Sequence, residues 1–120
     1  MLVVGAARSG IAAAEALARR GAIVTLTDIR DTVDAADRLG AAGVTLELGG
    51  HRTETIAAAD LIVVSPGVPL DQPIFESAQT RGTEIIGELE LAWRWIRGPV
   101  IAITGTKGKS TTTTLLGRML

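Results

Sequence analysis

Short apolar runs alternate with helical periodicity at the start of the chain. Residues 2–4 are apolar and end at Gly5. From Ser9 onward, apolar residues recur at helical spacing until Gly21 stops the pattern. Residues 23–27 are rich in β-branched and apolar side chains, which is typical of a strand covered on both faces. The pattern predicts a strand, a helix and a second, parallel strand.

The same alternation continues through three further strands. Strands are predicted at residues 44–48, 61–64 and 84–86, and helices at residues 32–42, 53–59, 73–81 and 88–96. Thr32 or Asp34 is expected to cap the first of these helices, and Leu89, Trp93 and Ile96 share one side of the last. Right-handed crossovers on both sides of the first strand give the order 3-2-1-4-5. We therefore predict an α/β fold, a Rossmann-like open parallel five-stranded sheet with helices on both faces.

A second unit is predicted after Gly98 and Pro99, because proline is disfavoured inside a helix or a central strand. Residues 100–103 have a buried-strand pattern, and the stretch that ends at Leu120 is expected to be helical, with the threonines 111–114 in its first turns. We assign residues 1–97 to one domain and residues 98–120 to the opening of a second. A lone strand and helix cannot bury both faces, so we expect this P-loop strand-helix unit to be truncated.

Composition narrows the classes of function. Lys and Arg number 12 against 13 Asp and Glu, and the aromatic residues are Phe75, Trp93 and Trp95. This balance predicts no nucleic-acid partner. The absence of cysteine and the single histidine, His51, exclude disulfide scaffolds, thiolate metal sites and multi-histidine zinc sites, so any metal would be held by oxygen. No apolar run approaches the ~18 residues of a membrane span. We expect a soluble, cytoplasmic chain with no membrane partner.

The residues 105–111, GTKGKST, carry the strongest chemical signal. Phosphate binding needs glycines that let backbone N–H groups converge, a lysine for charge, a hydroxyl for Mg²⁺ and a helix N-terminus behind them. Ile103 stands where the full P-loop motif has glycine, so this is a shortened variant. The alternative is a glycine turn with solvent-facing lysines.

A second glycine turn, GAARSG at residues 5–10, follows the first strand. It keeps the outer glycines of a dinucleotide fingerprint but has Ala7 at the central position, which restricts how closely a pyrophosphate can approach. Ser9 and the helix N-terminus can still bind a phosphate. The alternative is a plain turn without a ligand.

Two further features lie where ligands bind in open α/β sheets. Asp28 ends the second strand, where an acid recognises a ribose hydroxyl, and Arg30 follows two residues later. Residues 65–69, SPGVP, follow the fourth strand. If neither feature binds a ligand, Asp28 is a turn or cap residue and residues 65–69 form only a turn. His51 and Arg52 are interpreted as surface residues.

Mg²⁺ coordination for phosphoryl transfer also needs an acid from another strand, and residues 111–120 contain no acid. We therefore expect that this chain alone neither hydrolyses ATP nor forms an amide bond.

The order of these parts resembles the Mur ligases. That family has the same parts in the same order: GAARSG, Asp28, SPGVP, GELEL before the boundary and ITGTKGKSTTT after it. More narrowly, the sequence resembles the members of the family that add D-glutamate. The resemblance covers essentially the whole chain, as an N-terminal domain and the start of a central ATPase domain. It implies peptidoglycan-precursor synthesis, in which MgATP phosphorylates the carboxylate of UDP-MurNAc-L-alanine and the amine of D-glutamate attacks the acyl phosphate.

The resemblance also implies roles for individual residues. The implied UDP-binding positions are Arg8, Ser9, Gly10, Asp28, Ile29, Arg30 and Gly67. The implied ATP-binding positions are Gly105, Thr106, Lys107, Gly108, Lys109, Ser110 and Thr111, with Lys109 as the catalytic residue and Ser110 as the Mg²⁺ ligand. The sequence departs from the family at Lys107, where asparagine is common, and at Ile29, where a hydroxyl residue is frequent.

Three alternatives stay open. Another Mur-type ligase shares most of these parts. A nicotinamide-binding Rossmann domain would use the same first loop and Asp28, but it leaves GTKGKST unexplained and Ala7 argues against it. A ligand-free α/β domain is the third. We also expect residues 100–120 to pair with a second copy of the chain, because the strand edge and the apolar residues near Leu120 have no surface to cover them.

Overall fold

Five parallel strands form one sheet in the computed structural model, which describes residues 1–120. The strands are β1 (Leu2–Val4), β2 (Thr25–Asp28), β3 (Thr45–Leu48), β4 (Leu61–Val64) and β5 (Glu84–Gly87). Their order is β3-β2-β1-β4-β5, which confirms the predicted sheet. In the central register, Val3 lies between Leu26 and Val63. All strands therefore end at the same edge, where the loops after β1, β2 and β4 meet.

Helices cover both faces of the sheet, as predicted. They are α1 (Arg8–Arg19), α2 (Ala36–Ala41), α3 (Thr53–Ala58), α4 (Glu76–Thr80) and α5 (Glu88–Trp95), and a single 3₁₀ turn (Pro73–Phe75) leads into α4. A last helix, α6 (Lys109–Met119), buries no residue. One core layer buries Leu17, Leu39 and Leu91 from α1, α2 and α5. The other buries Ile56 and Phe75 beneath the opposite face. No helix is long and apolar enough to cross a membrane.

The structure corrects the predicted start of α2. The helix begins at Ala36, and neither Thr32 nor Asp34 caps it, because the residue before it is Ala35 and no side chain bonds to its first turn. The preceding turn is closed by a backbone hydrogen bond of 3.1 Å from Ala36 N–H to the Val33 carbonyl. Residues 32–35 therefore stay outside the helix and form a loop beside the end of β2.

The side of α5 that carries the apolar residues named in the sequence analysis is exposed to solvent. Leu89, Trp93 and Ile96 share one side, as the spacing indicates, but that side is exposed and Leu89 is 85% accessible. Leu91 is the buried residue of the helix at 4%. Leu91 and Trp95 pack against the core that includes α1. Helical spacing shows which residues share a side of the helix, but the direction in which the chain leaves β5 decides which side faces the sheet.

Residues 100–103 do not form the predicted strand. They carry no strand hydrogen bonds, and no strand of the sheet lies beside them. A strand requires a neighbour that accepts from its N–H groups and donates to its C=O groups, so an apolar, β-branched run alone is not sufficient. The helix after them is confirmed, since α6 includes the threonines 111–114. The domain boundary near residue 98 stays a prediction.

Candidate functional site

The turn after β1 is shaped by two glycines in contact. Gly5 has a φ of +102°, which favours glycine, and its N–H donates to the Thr27 carbonyl at 2.8 Å. At Gly10, an added Cβ would lie 1.9 Å from the Gly5 carbonyl oxygen. Only glycine fits at position 10, and its absent side chain lets α1 begin directly against the loop.

The first turn of α1 presents backbone donors without a side-chain cap. Its N-cap is Ala7, which makes no side-chain hydrogen bond. The first N–H groups of a helix have no partner inside the helix, and the helix dipole adds partial positive charge there. Ser9, whose side chain is exposed, and Arg8 lie in this turn. The start of α1 is therefore suited to an anion.

Asp28 is held by four donors from its own chain. Its side chain is 8% exposed. Oδ2 accepts from Ala6 N–H at 2.5 Å and from Arg30 Nη2 at 2.9 Å, and Oδ1 accepts from the N–H and Nε of Arg30 at 2.9 and 3.0 Å. Hydrogen bonds from the Arg30 side chain hold the pKa of Asp28 well below its usual range; burial opposes this, and the N–H groups of Arg30 and Ala6 lower the pKa further. The same pairing raises the pKa of Arg30.

These contacts fix the positions of the Asp28 carboxylate and the Arg30 side chain. A carboxylate has about four acceptor positions; one accepts from Ala6 N–H and ties the end of β2 to the loop after β1, and the other three hold Arg30 against Asp28. The Arg30 side chain is 54% exposed, so one face of its guanidinium and Nη1 stay open to a ligand. The neighbouring Ile29 is exposed.

A cavity of about 510 Å³ lies between the start of α1 and the loop after β2. It brings together the side chains of Arg8 and Arg30, which the sequence analysis placed in one ligand site. Its lining residues are Ala6, Ala7, Arg8, Ile11, Arg30, Thr32, Val33 and Asp34. The two arginines supply positive charge, Asp34 supplies one negative charge, and the apolar residues supply a surface for a planar ring.

The loop after β4 forms the other wall of this edge. Val68 N–H donates to the Ser65 carbonyl at 3.0 Å, which closes a turn around Pro66 and Gly67. Val68 packs against the loop after β1, since its Cγ2 lies 3.4 Å from the position of a Cβ on Gly5. No atom lies within 4 Å of an added Cβ on Gly67, so open space surrounds that residue.

Sequence reasoning missed side chains that hold these loops. Ser65 Oγ lies 2.6 Å from Glu88 Oε1, and no local pattern pairs residues this far apart. His51 was interpreted as a surface residue, but it is half-buried, and its Nδ1 lies 2.9 Å from Thr27 Oγ1. That hydroxyl also contacts the Gly50 carbonyl at 3.1 Å, so His51 ties the end of β3 to the end of β2.

The sequence-predicted phosphate loop lies at the start of α6. Gly105 and Gly108 have positive φ values of +150° and +77°, and Gly108 is the N-cap of the helix. Lys109, Ser110 and the rest of residues 105–111 are exposed. The glycines, the lysine and the helix start fit a phosphate group. For a metal, Ser110 offers one hydroxyl, and no group of three or more histidine, cysteine, aspartate or glutamate side chains is placed to hold an ion.

A parallel sheet with ligand loops at the carboxyl ends of β1, β2 and β4 is the arrangement of nucleotide-binding α/β domains. The model of the Mur ligase MurD-like N-terminal domain matches residues 1–87, and the chain belongs to this family.

Similar proteins with assigned names agree with the family. The chain is 51% identical to the UDP-N-acetylmuramoylalanine--D-glutamate ligase of Desulfosudis oleivorans over 126 residues, which is 100% of this chain and 27% of that protein. It is also 51% identical to the enzyme of that name from Anaeromyxobacter dehalogenans, covering 98% of this chain and 26% of that protein. The chain thus spans about a quarter of the length of these relatives.

Solved structures of peptide ligases share the fold. A murein peptide ligase, mpl, from Psychrobacter arcticus superposes with a TM-score of 0.75 at 27% identity, covering 97% of this chain and 25% of that chain. A pseudomurein peptide ligase type C from Methanothermus fervidus gives a TM-score of 0.66 at 28% identity, covering 99% and 25%. The chain therefore shares the fold of about a quarter of each of these peptide ligases.

Proposed function

We propose that this chain binds the UDP part of UDP-N-acetylmuramoyl-L-alanine, as the N-terminal domain of an ATP-dependent ligase that adds D-glutamate in peptidoglycan-precursor synthesis. One observation carries the proposal. Three features meet at one edge of the sheet: the uncapped start of α1, the Asp28–Arg30 pair and the turn that contains Gly67. They lie within residues 1–87, which match the MurD-like family model. A cytoplasmic location belongs to the same proposal and rests on the family's reaction.

The diphosphate is assigned to the start of α1. Ser9 and Gly10 offer N–H groups there, and Ser9 adds a hydroxyl. Arg8 lies in the same turn and lines the cavity beside it, so its guanidinium is assigned to the charge of the diphosphate. Gly67 borders the site without a side chain, which leaves room for the sugar.

The uracil is assigned to the cavity beside Arg30. The open face of the guanidinium stacks on a planar ring, Ile11 and Val33 of the cavity lining add apolar contact, and the exposed Ile29 lies beside Arg30 in the chain. Asp28 orients Arg30 through the hydrogen bonds described above. In this proposal Asp28 acts through Arg30 and Ala6, and direct recognition of the ligand by its carboxylate stays a prediction.

The residues 105–111 are assigned to ATP. Lys109, the first residue of α6, is assigned to the phosphate charge, and the Ser110 hydroxyl is assigned to Mg²⁺. MgATP, when bound, supplies the phosphoryl group that activates the carboxylate of the substrate. The chain's own contribution is to bind and orient the phosphates through backbone N–H groups and Lys109.

Calorimetric titration with UDP and with NADH tests the proposal. We expect UDP to bind and NADH to give no heat, because Ala7 replaces the glycine that a dinucleotide needs. Arg8→Ala is expected to raise the dissociation constant for UDP about tenfold, because one charge-assisted contact is lost. Arg19→Ala is the matched control, since it removes an exposed arginine at the other end of α1. Binding of NADH alone, or equal losses in the two variants, contradicts the assignment.

Association of two chains through residues 100–120 is a further part of the proposal. Exposed apolar side chains are concentrated there, among them Ile101, Leu115 and Met119. We expect light scattering to detect dimers of the full chain and only monomers of a version that ends at Arg97. Monomers of both, with residues 100–120 protected from hydrogen exchange, would show that the segment packs on its own domain.

A further inference from the structure

Ser65 lies at the junction of the loops that border the proposed ligand site. It is 5% exposed, and its N–H donates to the Val4 carbonyl at 2.9 Å. Its own carbonyl accepts from Val68, so the backbone is fixed on both sides. The side chain lies against the loop after β1, since a Cβ added to Gly5 would be 2.7 Å from Ser65 Oγ. Ser65 therefore spaces the two loops.

The hydroxyl of Ser65 faces two acceptors with one proton. Glu88 Oε1 is 2.6 Å away, and the Gly5 carbonyl oxygen is 3.2 Å away. Hydrogen bonds to an ionised carboxylate are shorter and stronger than those to a carbonyl, so the geometry favours donation to Glu88. Glu88 is the first residue of α5, where the helix dipole favours a carboxylate. The contact joins the ends of β4 and β5 to the loop after β1.

We propose that Ser65 and Glu88 are positioning residues of the UDP site. Their hydrogen bond holds the turn that contains Gly67 against Gly5, and Gly5 in turn touches Gly10 at the start of α1. Fixing Ser65 therefore fixes the spacing between Gly67 and the N–H groups of α1, which the proposed function assigns to one ligand. This inference rests on that proposed function.

The role belongs to the hydrogen bond and not to the charge of Glu88. Glu88 and Ser9 line the same groove between α1 and α5, so a negative charge at Glu88 does not favour an anion beside Ser9. Glutamine keeps an oxygen that accepts from Ser65 Oγ and removes the charge. Alanine removes both. The two substitutions at Glu88 therefore separate a positioning role from an electrostatic one.

The test combines two measurements on the 120-residue chain. Backbone amide NMR signals of Gly5, Gly10 and Gly67 report the loops in the absence of ligand, and a UDP titration gives the dissociation constant. We expect Glu88→Ala and Ser65→Ala to shift the glycine signals and to raise the dissociation constant for UDP about tenfold. Glu88→Gln is expected to keep the signals and to bind UDP within about twofold of the unchanged chain or more tightly. Glu90→Ala, on the exposed side of the same helix, is the control and changes neither.

Two results would overturn the inference. One is a Glu88→Ala chain with unchanged glycine signals and unchanged affinity, and the other is an equal loss in Glu88→Gln and Glu88→Ala. If Ser65→Ala does not fold, the pair of variants at Glu88 still decides between these results. Failure of the unchanged chain to bind UDP overturns the proposed function instead. The glycine signals of the ligand-free variants then show separately whether Glu88 holds the loops.

Discussion

Gly10→Ala is expected to lower the free energy of unfolding by about 3 kcal/mol, and to abolish UDP binding. The new Cβ would lie 1.9 Å from the oxygen and 3.1 Å from the carbon of the Gly5 carbonyl. Both atoms belong to the backbone, so relief requires a shift of α1 or of the loop. Urea denaturation followed by circular dichroism measures the loss, and calorimetry measures the binding.

Gly40→Ala is the matched control for this substitution. Gly40 also lies within a helix, but nothing lies within 4 Å of an added Cβ there. We expect this change to raise stability by up to about 1 kcal/mol, because alanine favours a helix over glycine. A Gly10→Ala chain as stable as the unchanged protein would show that the loop after β1 does not lie against α1 as described.

Asp28→Asn is expected to lower the free energy of unfolding by about 2 kcal/mol near neutral pH. The substitution puts an NH₂ group where a carboxylate oxygen now accepts, so at least one donor of Ala6 or Arg30 loses its partner. The value is set below that of a fully buried ion pair because Arg30 is half exposed. Asp60→Asn, an exposed change at the other edge of the sheet, is the control and is expected to have little effect.

The effect of Asp28→Asn also depends on pH. The pKa of Asp28 is lower in the folded chain than the unfolded value of about 3.9. The folded state therefore holds the proton less tightly, and the contribution of Asp28 is complete above about pH 4 and is lost as the pH falls through its folded pKa. We expect the stability difference between the two chains to be constant near neutral pH and to shrink in acid. A difference that grows in acid would contradict the pairing.

The sheet and its order could be predicted because they follow from general rules. Alternating apolar runs and helical spacings identify the elements, and the handedness of crossovers orders the strands. These rules also place the first glycine turn, Asp28 and Gly67 at one edge. They do not include contacts between distant residues, such as Asp28 with Ala6 or Ser65 with Glu88. Those contacts depend on the register of neighbouring strands and on side-chain direction.

One prediction that was wrong, the strand at residues 100–103, and one feature that the spacing left open, the buried side of α5, have a common physical cause. The spacing of Leu89 and Trp93 defines a helix side, but burial of Leu91 shows that tertiary packing chose a different side. Residues 100–103 have the composition of a strand, but no neighbouring strand completes their hydrogen bonds. In both cases a local pattern describes what a segment favours, and the outcome depends on what lies beside it.

The central claim is that the carboxyl ends of β1, β2 and β4 form one UDP site. Backbone amide NMR during a UDP titration tests it most directly, because each loop reports separately. We predict saturable shifts that share one dissociation constant at Ser9, Gly10, Arg30 and Gly67. Shifts confined to other parts of the chain, or shifts in one loop that saturate without the others, would contradict the claim.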